Sequence, residues 1–361
     1  MSASAPALPQ PRGPVSTAVL DVLRAGPRGN ASGSAALDAG DLAGVDPYGD
    51  DLQLALYCCY ELHYRGFFGV SDECEWDPAL LGMRGALERI FLTALRADVA
   101  PSTDVDAEVA GLLVEPDSGP DRTEGAGVSH HLLREGELWQ LREYVVHRSM
   151  YHLKEADPQA WVIPRLVGAA KSGLVSVEHD EYGAGVPERM HSLLFAEMMT
   201  GLGLSDEYGE YLDVVGARTL AEVNFMSMCG LHRNLRGALV GQFATVELTS
   251  SPGSDRLVRA MRRLGCDDTA IRFYEEHAVA DAVHEQIIRR RVLDPMLAAE
   301  PHLAGDVVFG MRASGLLADR LAEWVLGCWA GGRSSLRGPL CVEGPARDLT
   351  GAGRFPAMSR G

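Results

Sequence analysis

Glu275–Gln286 reads EEHAVADAVHEQ, and both fold and chemistry turn on how this stretch is taken. His277, Asp281 and His284 fall at i, i+4 and i+7, two turns along one face of an α-helix. The residues between them, Ala278, Val279, Ala280, Ala282 and Val283, are small and apolar, as expected of a helix packed inside a bundle. Three polar groups buried there without partners would cost several kcal/mol. A divalent cation removes that cost, and imidazole with carboxylate is a ligand set for iron, manganese or zinc. The plain alternative is a chance H-x3-D-x2-H whose side chains are solvated or hydrogen-bonded to one another.

Working outward, a second stripe lies in PERMHSLLFAEMM (187–199). Glu188 and His191 stand at i and i+3, the Glu-x-x-His spacing by which helical bundles seat carboxylate-bridged metal pairs. Read alone, Glu188 could simply favour a helix N-terminus and His191 could be a satisfied core histidine. Upstream, YHLKEADPQAWVIPRL (151–166) puts Glu155 at the end of its helix, where a solvated carboxylate is the bland reading. Glu181 precedes Glu188 by seven residues, but glycines intervene; His179 and Asp180 read as surface. Three histidines with three carboxylates exceed what one open-sided ion needs, and suit two adjacent ions.

The rest of the chain has the same helical period. Leu87, Ile90, Phe91, Ala94 and Leu95 mark one buried face, and Leu52, Leu56 and Tyr60 another. Further helices are predicted over 138–155, from Asp157-Pro158 to about 182, and over 188–202, 206–215, 218–249, 255–264, 268–291 and 305–329. Strand signals are nearly absent, so the fold class is all-α, a multi-helix bundle. Gly237 and Gly241 suit a close helix–helix approach. Residues 1–48 read as a largely disordered N-terminal segment and 331–361 as a flexible tail, leaving one helical domain over 49–330. Residues 115–129 read as an exposed loop.

Composition narrows the function classes. The 361 residues carry a formal net charge of −17, spread along the chain, which disfavours nucleic acid as a partner. The seven cysteines are odd in number and lack C-x-x-C spacing, so they read as small buried hydrophobes in a reducing compartment. No run reaches the length of a membrane span, and the N-terminus lacks the order of a secretion signal. A cytoplasmic protein with no membrane partner is expected.

Three blocks, HRSMYHLKEADPQAWVIPRL (147–166), VEHDEYGAGVPERMHSLLFAEMMTGLGL (177–204) and EEHAVADAVHEQ (275–286), resemble the haem-oxygenase-like di-iron oxidases, the iron-containing redox enzyme family. The resemblance covers about residues 136–327, where the metal-site core would lie. It implies a haem-oxygenase-like bundle in which Glu155, Glu188, His191, His277, Asp281 and His284 carry catalysis and bind metal. Glu181 matches an extra carboxylate that some members bring to the iron, and Glu247 lies on a helix that supplies a ligand in certain relatives. The implied cofactor is Fe(II), two ions per chain, with manganese as an alternative and O2 as co-substrate. Haem is disfavoured, since the first core segment offers only His63. A thiamine-degrading relative would need a cysteine nucleophile, and no cysteine falls in the ligand-bearing blocks.

The expected function is therefore a non-haem di-iron oxidase or oxygenase acting on a small molecule by N-oxygenation, desaturation or oxidative C–C cleavage. It would need a small-molecule substrate and an external electron donor, and such enzymes are often homodimers. Arg148, Lys154, Arg165 and Lys171 could meet a substrate carboxylate, with surface solubility as the default. Two other readings stay open: a metal-independent helical binding protein with an internal polar network, and a di-zinc or dimanganese hydrolase.

Overall fold

The computed structural model describes residues 5–27, 42–113 and 126–340. Among these residues there is no strand. An N-terminal group consists of α1 (Pro14–Ala25), α2 (Asp50–Glu61), α3 (Pro78–Asp98) and α4 (Val105–Leu113). Then come α5 (Val128–Arg134), α6 (Leu138–His152), the single turn α7 (Asp157–Ala160), α8 (Gly168–Glu181) and α9 (His191–Gly201). The last group is α10 (Ala217–Leu231), α11 (Arg236–Arg263), α12 (Asp268–Ile287), α13 (Asp294–Ala299) and α14 (Ala304–Ala330).

Local chemistry sets the helix starts. Asp77 accepts from the amides of Ala79 and Leu80 while Pro78 opens α3; Asp267 does the same for Ala270 at the head of α12. Each carboxylate satisfies donors that a helix N-terminus leaves orphaned. Leu87, Phe91 and Leu95 bury the predicted face of α3.

α11 is the central helix, packed along α12 on one side and α14 on the other. The approach of α11 to α14 needs glycine on both. A Cβ at Gly241 would lie on the Val307 carbonyl, and one at Gly310 on the Ala238 carbonyl. Gly237 faces Asp306 across the same seam, so the packing expected of this pair is realised. α12 also packs on α9, and α10 on α2.

Several expectations change, among them the helix expected from Asp157 to about 182, which breaks between α7 and α8. Residues 206–215 form turns rather than a helix, with Gly203 and Gly209 at positive φ, a conformation available at little cost only to glycine. The predicted helix 218–249 breaks at His232–Leu235, and its second part continues past Pro252 to Arg263. The expected N-terminal disorder does not extend to α1, whose Val15, Val19, Leu20 and Leu23 are buried against α2. Nor are residues 331–340 a free tail: Ser335 is buried, its amide and hydroxyl both donating to Glu143 at 2.9 and 2.7 Å. Residues 28–41 and 341–361, and 114–125 of the predicted exposed loop, lie outside the described residues.

Candidate metal centre

Five elements point side chains at one place. α6 ends at His152 and a non-helical turn carries Glu155 inward; α8 contributes Glu181 as its last residue, and α9 His191 as its first. α11 brings Glu247, and α12 presents His277, Asp281 and His284 on its inner face. All eight are buried.

The ligand atoms fall into two groups that share one carboxylate. Glu155, Glu181, His191 and His277 each place an atom within 4.8 Å of the others, as do Glu181, Glu247 and His284. Glu181 spans the two: its Oε2 is 2.6 Å from His191 Nδ1, and its Oε1 is 3.4 Å from His284 Nδ1. Glu247 Oε2 lies 3.1 Å and Asp281 Oδ1 3.8 Å from the same His284 nitrogen. His277 Nε2 faces Glu155 Oε2 at 3.7 Å. A bridging carboxylate with nitrogen and carboxylate on either side is the arrangement by which helical bundles hold paired ions.

The buried atoms that lack hydrogen bonds test whether cations fit. Glu155 Oε2, His277 Nε2 and Asp281 Oδ2 have no hydrogen-bond partner, though buried polar atoms ordinarily find one. His277 Nδ1 is 2.9 Å from the Phe273 carbonyl, where only an N–H can bond. That contact fixes the tautomer and leaves Nε2 free to donate its lone pair to a metal. The donor set and its unsatisfied atoms fit a pair of divalent ions.

Without cations, protons hold the cluster together. Burial alone would raise the Glu155 carboxyl, but His152 and His277 bring it down to about 2. Burial would lower His277, yet Glu155, Asp281 and Glu181 raise it to about 10. His284 behaves likewise, raised against its burial to about 9 by Glu247, Glu181 and Asp281. Burial raises Asp281 to about 6, with His277 opposing, and raises Glu247 against the pull of His284. Two protonated imidazoles thus occupy electrostatic positions that metal ions would take.

Of the sequence-derived residues, Glu155, Glu181, His191, His277 and His284 meet, with Asp281 beside them. Glu188 does not join them. It sits exposed in a separate 3-10 turn, Pro187–Arg189, and α9 begins only at His191. The cause is the chain reversal: Gly183, Ala184 and Gly185 all have positive φ, and a Cβ at Gly183 would meet the Met190 amide. The segment loops out to the surface and returns at His191, so Glu188 and His191 never share a helix. Glu181 takes the central place instead.

Sequence reasoning missed His152 and Glu178. His152 is buried against Phe195 and Phe273, with Nδ1 3.8 Å from Glu155 Oε1, and burial lowers it to about 3. Glu178, one turn before Glu181 on α8, is buried with both oxygens unpartnered, and burial with the charge of Glu181 raises it to about 9. Glu178 and Glu181 stand at i and i+3 on one face of α8, and that spacing is the signal that could have marked Glu178. Asp180 is exposed, as read from the sequence, and its carboxylate also lies 3.4 Å from His284 Nε2. His63 is held by Glu75 and Arg84 at its two nitrogens.

A cavity of about 360 Å3 opens on the cluster, walled by α6, α10, α11, α12 and α14, and includes His152, Glu155, His277 and Asp281. None of the described cysteines lines it, and none is in a disulfide.

The fold and site are those of a helical protein with a buried cluster of candidate metal ligands. Residues 142–319, just under half of the chain, match the iron-containing redox enzyme family. It is also 25% identical over 240 residues to a nitrosourea synthase of Streptomyces achromogenes subsp. streptozoticus, an alignment covering 66% of this chain and 50% of the relative. The chain thus matches about half the length of that curated relative. No helix among the described residues is long and apolar enough to cross a membrane.

Proposed function

We propose that this protein is an O2-dependent non-haem di-iron oxidoreductase acting on a small molecule held in the cavity beside the metal cluster. The observation that carries the reading is the carboxylate of Glu181 lying between two groups of ligand atoms, several of which have no hydrogen-bond partner. Glu155, His191 and His277 would hold one ion and Glu247, Asp281 and His284 the other, with Glu181 between them. Two ferrous ions bound there would supply the electrons that O2 reduction takes up.

The chain's own groups prepare that site. The Phe273 carbonyl orients His277, and Phe195 and Phe273 limit water on the side of His152. The cavity would hold a substrate against the cluster, and an external electron donor would restore the ferrous state between turnovers. Among N-oxygenation, desaturation and oxidative C–C cleavage, we favour N-oxygenation, because the similar protein is named for a product whose nitrogen is oxidised.

The test is anaerobic loading with ferrous iron followed by a pulse of O2. The expected result is about two irons per chain, O2 uptake, and a transient visible absorbance that depends on both. Binding well below one iron per chain with no O2 uptake would overturn the proposal. Selective retention of zinc or manganese after native expression, with hydrolytic activity, would replace it with a hydrolase reading.

A further inference from the structure

Polar groups of opposite character mark the two ends of the cavity. At the metal end the unpartnered carboxylate atoms are acceptors, namely Glu155 Oε2 and Asp281 Oδ2. They suit a cation. Along α6, one turn before His152, stands Arg148, with Glu222 of α10 facing it.

Arg148 does not read as a sealed structural bridge. Its Nη1 donates to Glu222 Oε2 at 3.2 Å, and its side chain keeps 24% exposure while lining the cavity. That is the single hydrogen bond its guanidinium makes among the described residues, out of five N–H donors on the group. Tyr144 and Tyr274 lie near enough to act on its charge. Gln242 of α11, fully buried, also lines the cavity and has an amide Nε2 with no acceptor. Arg148 therefore has donors to spare, and a guanidinium fork matches a carboxylate in shape as well as charge.

We propose that Arg148 receives a carboxylate of the substrate, so that the site takes a small organic acid lying along α6 with its reacting end at Glu155 and His277. The inference rests on the metal reading for what happens at that far end. Arg148, His152 and Glu155 succeed one another along the same wall, which makes the guanidinium the far anchor and the metal cluster the reacting end. Glu222 holds the guanidinium in place and competes with the incoming acid for it.

Calorimetric titration of hexanoate, hexan-1-ol and hexylamine tests this, in the metal-free protein and again after anaerobic loading with ferrous iron. Hexanoate should bind at least about tenfold more tightly than hexan-1-ol, the worth of a charge-assisted hydrogen bond. Arg148→Gln should erase that difference. Glu222→Gln should instead tighten hexanoate, because it frees the guanidinium. Opposite signs for the two variants cannot come from a bridge that merely supports the fold. The inference is overturned if the three probes bind alike, if hexylamine binds best, if Arg148→Gln leaves hexanoate unaffected, or if both variants weaken it equally. Iron stoichiometry is read separately: two irons without acid selectivity would sink this inference alone, and acid selectivity without iron would sink the metal reading alone.

Discussion

Lys154 and Glu155 are neighbours in sequence, and each belongs to a buried charged cluster, but the two clusters differ in one respect. Lys154 meets Glu61 at 3.0 Å in a pair that is almost wholly buried. The Tyr208 hydroxyl donates to the same carboxylate, at 2.7 Å to one oxygen and 2.9 Å to the other, and the ammonium lies over the rings of Tyr64 and Tyr57. Neither residue has an unpartnered polar atom. One position later, Glu155 enters a cluster in which several atoms lack partners and imidazoles retain protons far above their usual range. Burial is common to both regions; satisfaction is not. A closed polar cluster supports the fold, whereas an open one is built to receive something.

The sharpest way to break the contrast is to open the closed cluster. Lys154→Met or Glu61→Gln should destabilise the protein by about 3–5 kcal/mol in urea unfolding, because each leaves its partner buried and uncompensated. The double variant Lys154→Met with Glu61→Leu should recover most of that loss. Single variants that unfold like the wild type would remove the distinction.

The open cluster should respond to pH in the opposite sense from its metal affinity. His277 in the folded protein titrates near 10 and His284 near 9, above an ordinary imidazole. Their contribution to the metal-free fold is therefore complete below about pH 6.5 and is lost as pH rises through 9 and 10. Metal must displace those protons, so iron affinity should climb over the same range. Unfolding midpoints of metal-free protein that stay flat from pH 7 to 10 would contradict this.

Smaller effects separate two other acids. Glu178→Gln removes a carboxyl that the fold keeps protonated up to about 9. At pH 8 the metal-free variant should be more stable by about 1–3 kcal/mol, and a less stable variant would show that the charge is compensated. Glu188 is exposed, and Glu188→Gln should change stability by no more than about 0.5 kcal/mol.

What the sequence made legible follows from periodicity. His277, Asp281 and His284, the candidate ligands of α12, share one face because a single unbroken helix carries them, which their spacing made legible. The glycine seam between α11 and α14 was readable for the same reason. Glu181 and Glu188 could not be told apart, because their relation depends on a chain reversal at Gly183–Gly185 rather than on a helix register. Lys154 read as surface for want of any local sign of Glu61, 93 residues away, and Arg148 acquired its setting only when α10 brought Glu222 opposite it. The start of α1 was obscured by the Pro- and Gly-rich sequence around it, although its apolar face is buried on α2.

The central claim is that Glu181 joins two cation sites, and counting bound iron tests it directly. Wild-type protein titrated anaerobically with ferrous iron should take up about two ions per chain, while Glu181→Gln, folded and of comparable metal-free stability, should lose at least one of them. Full iron uptake by Glu181→Gln, or none by the wild type, would contradict the account.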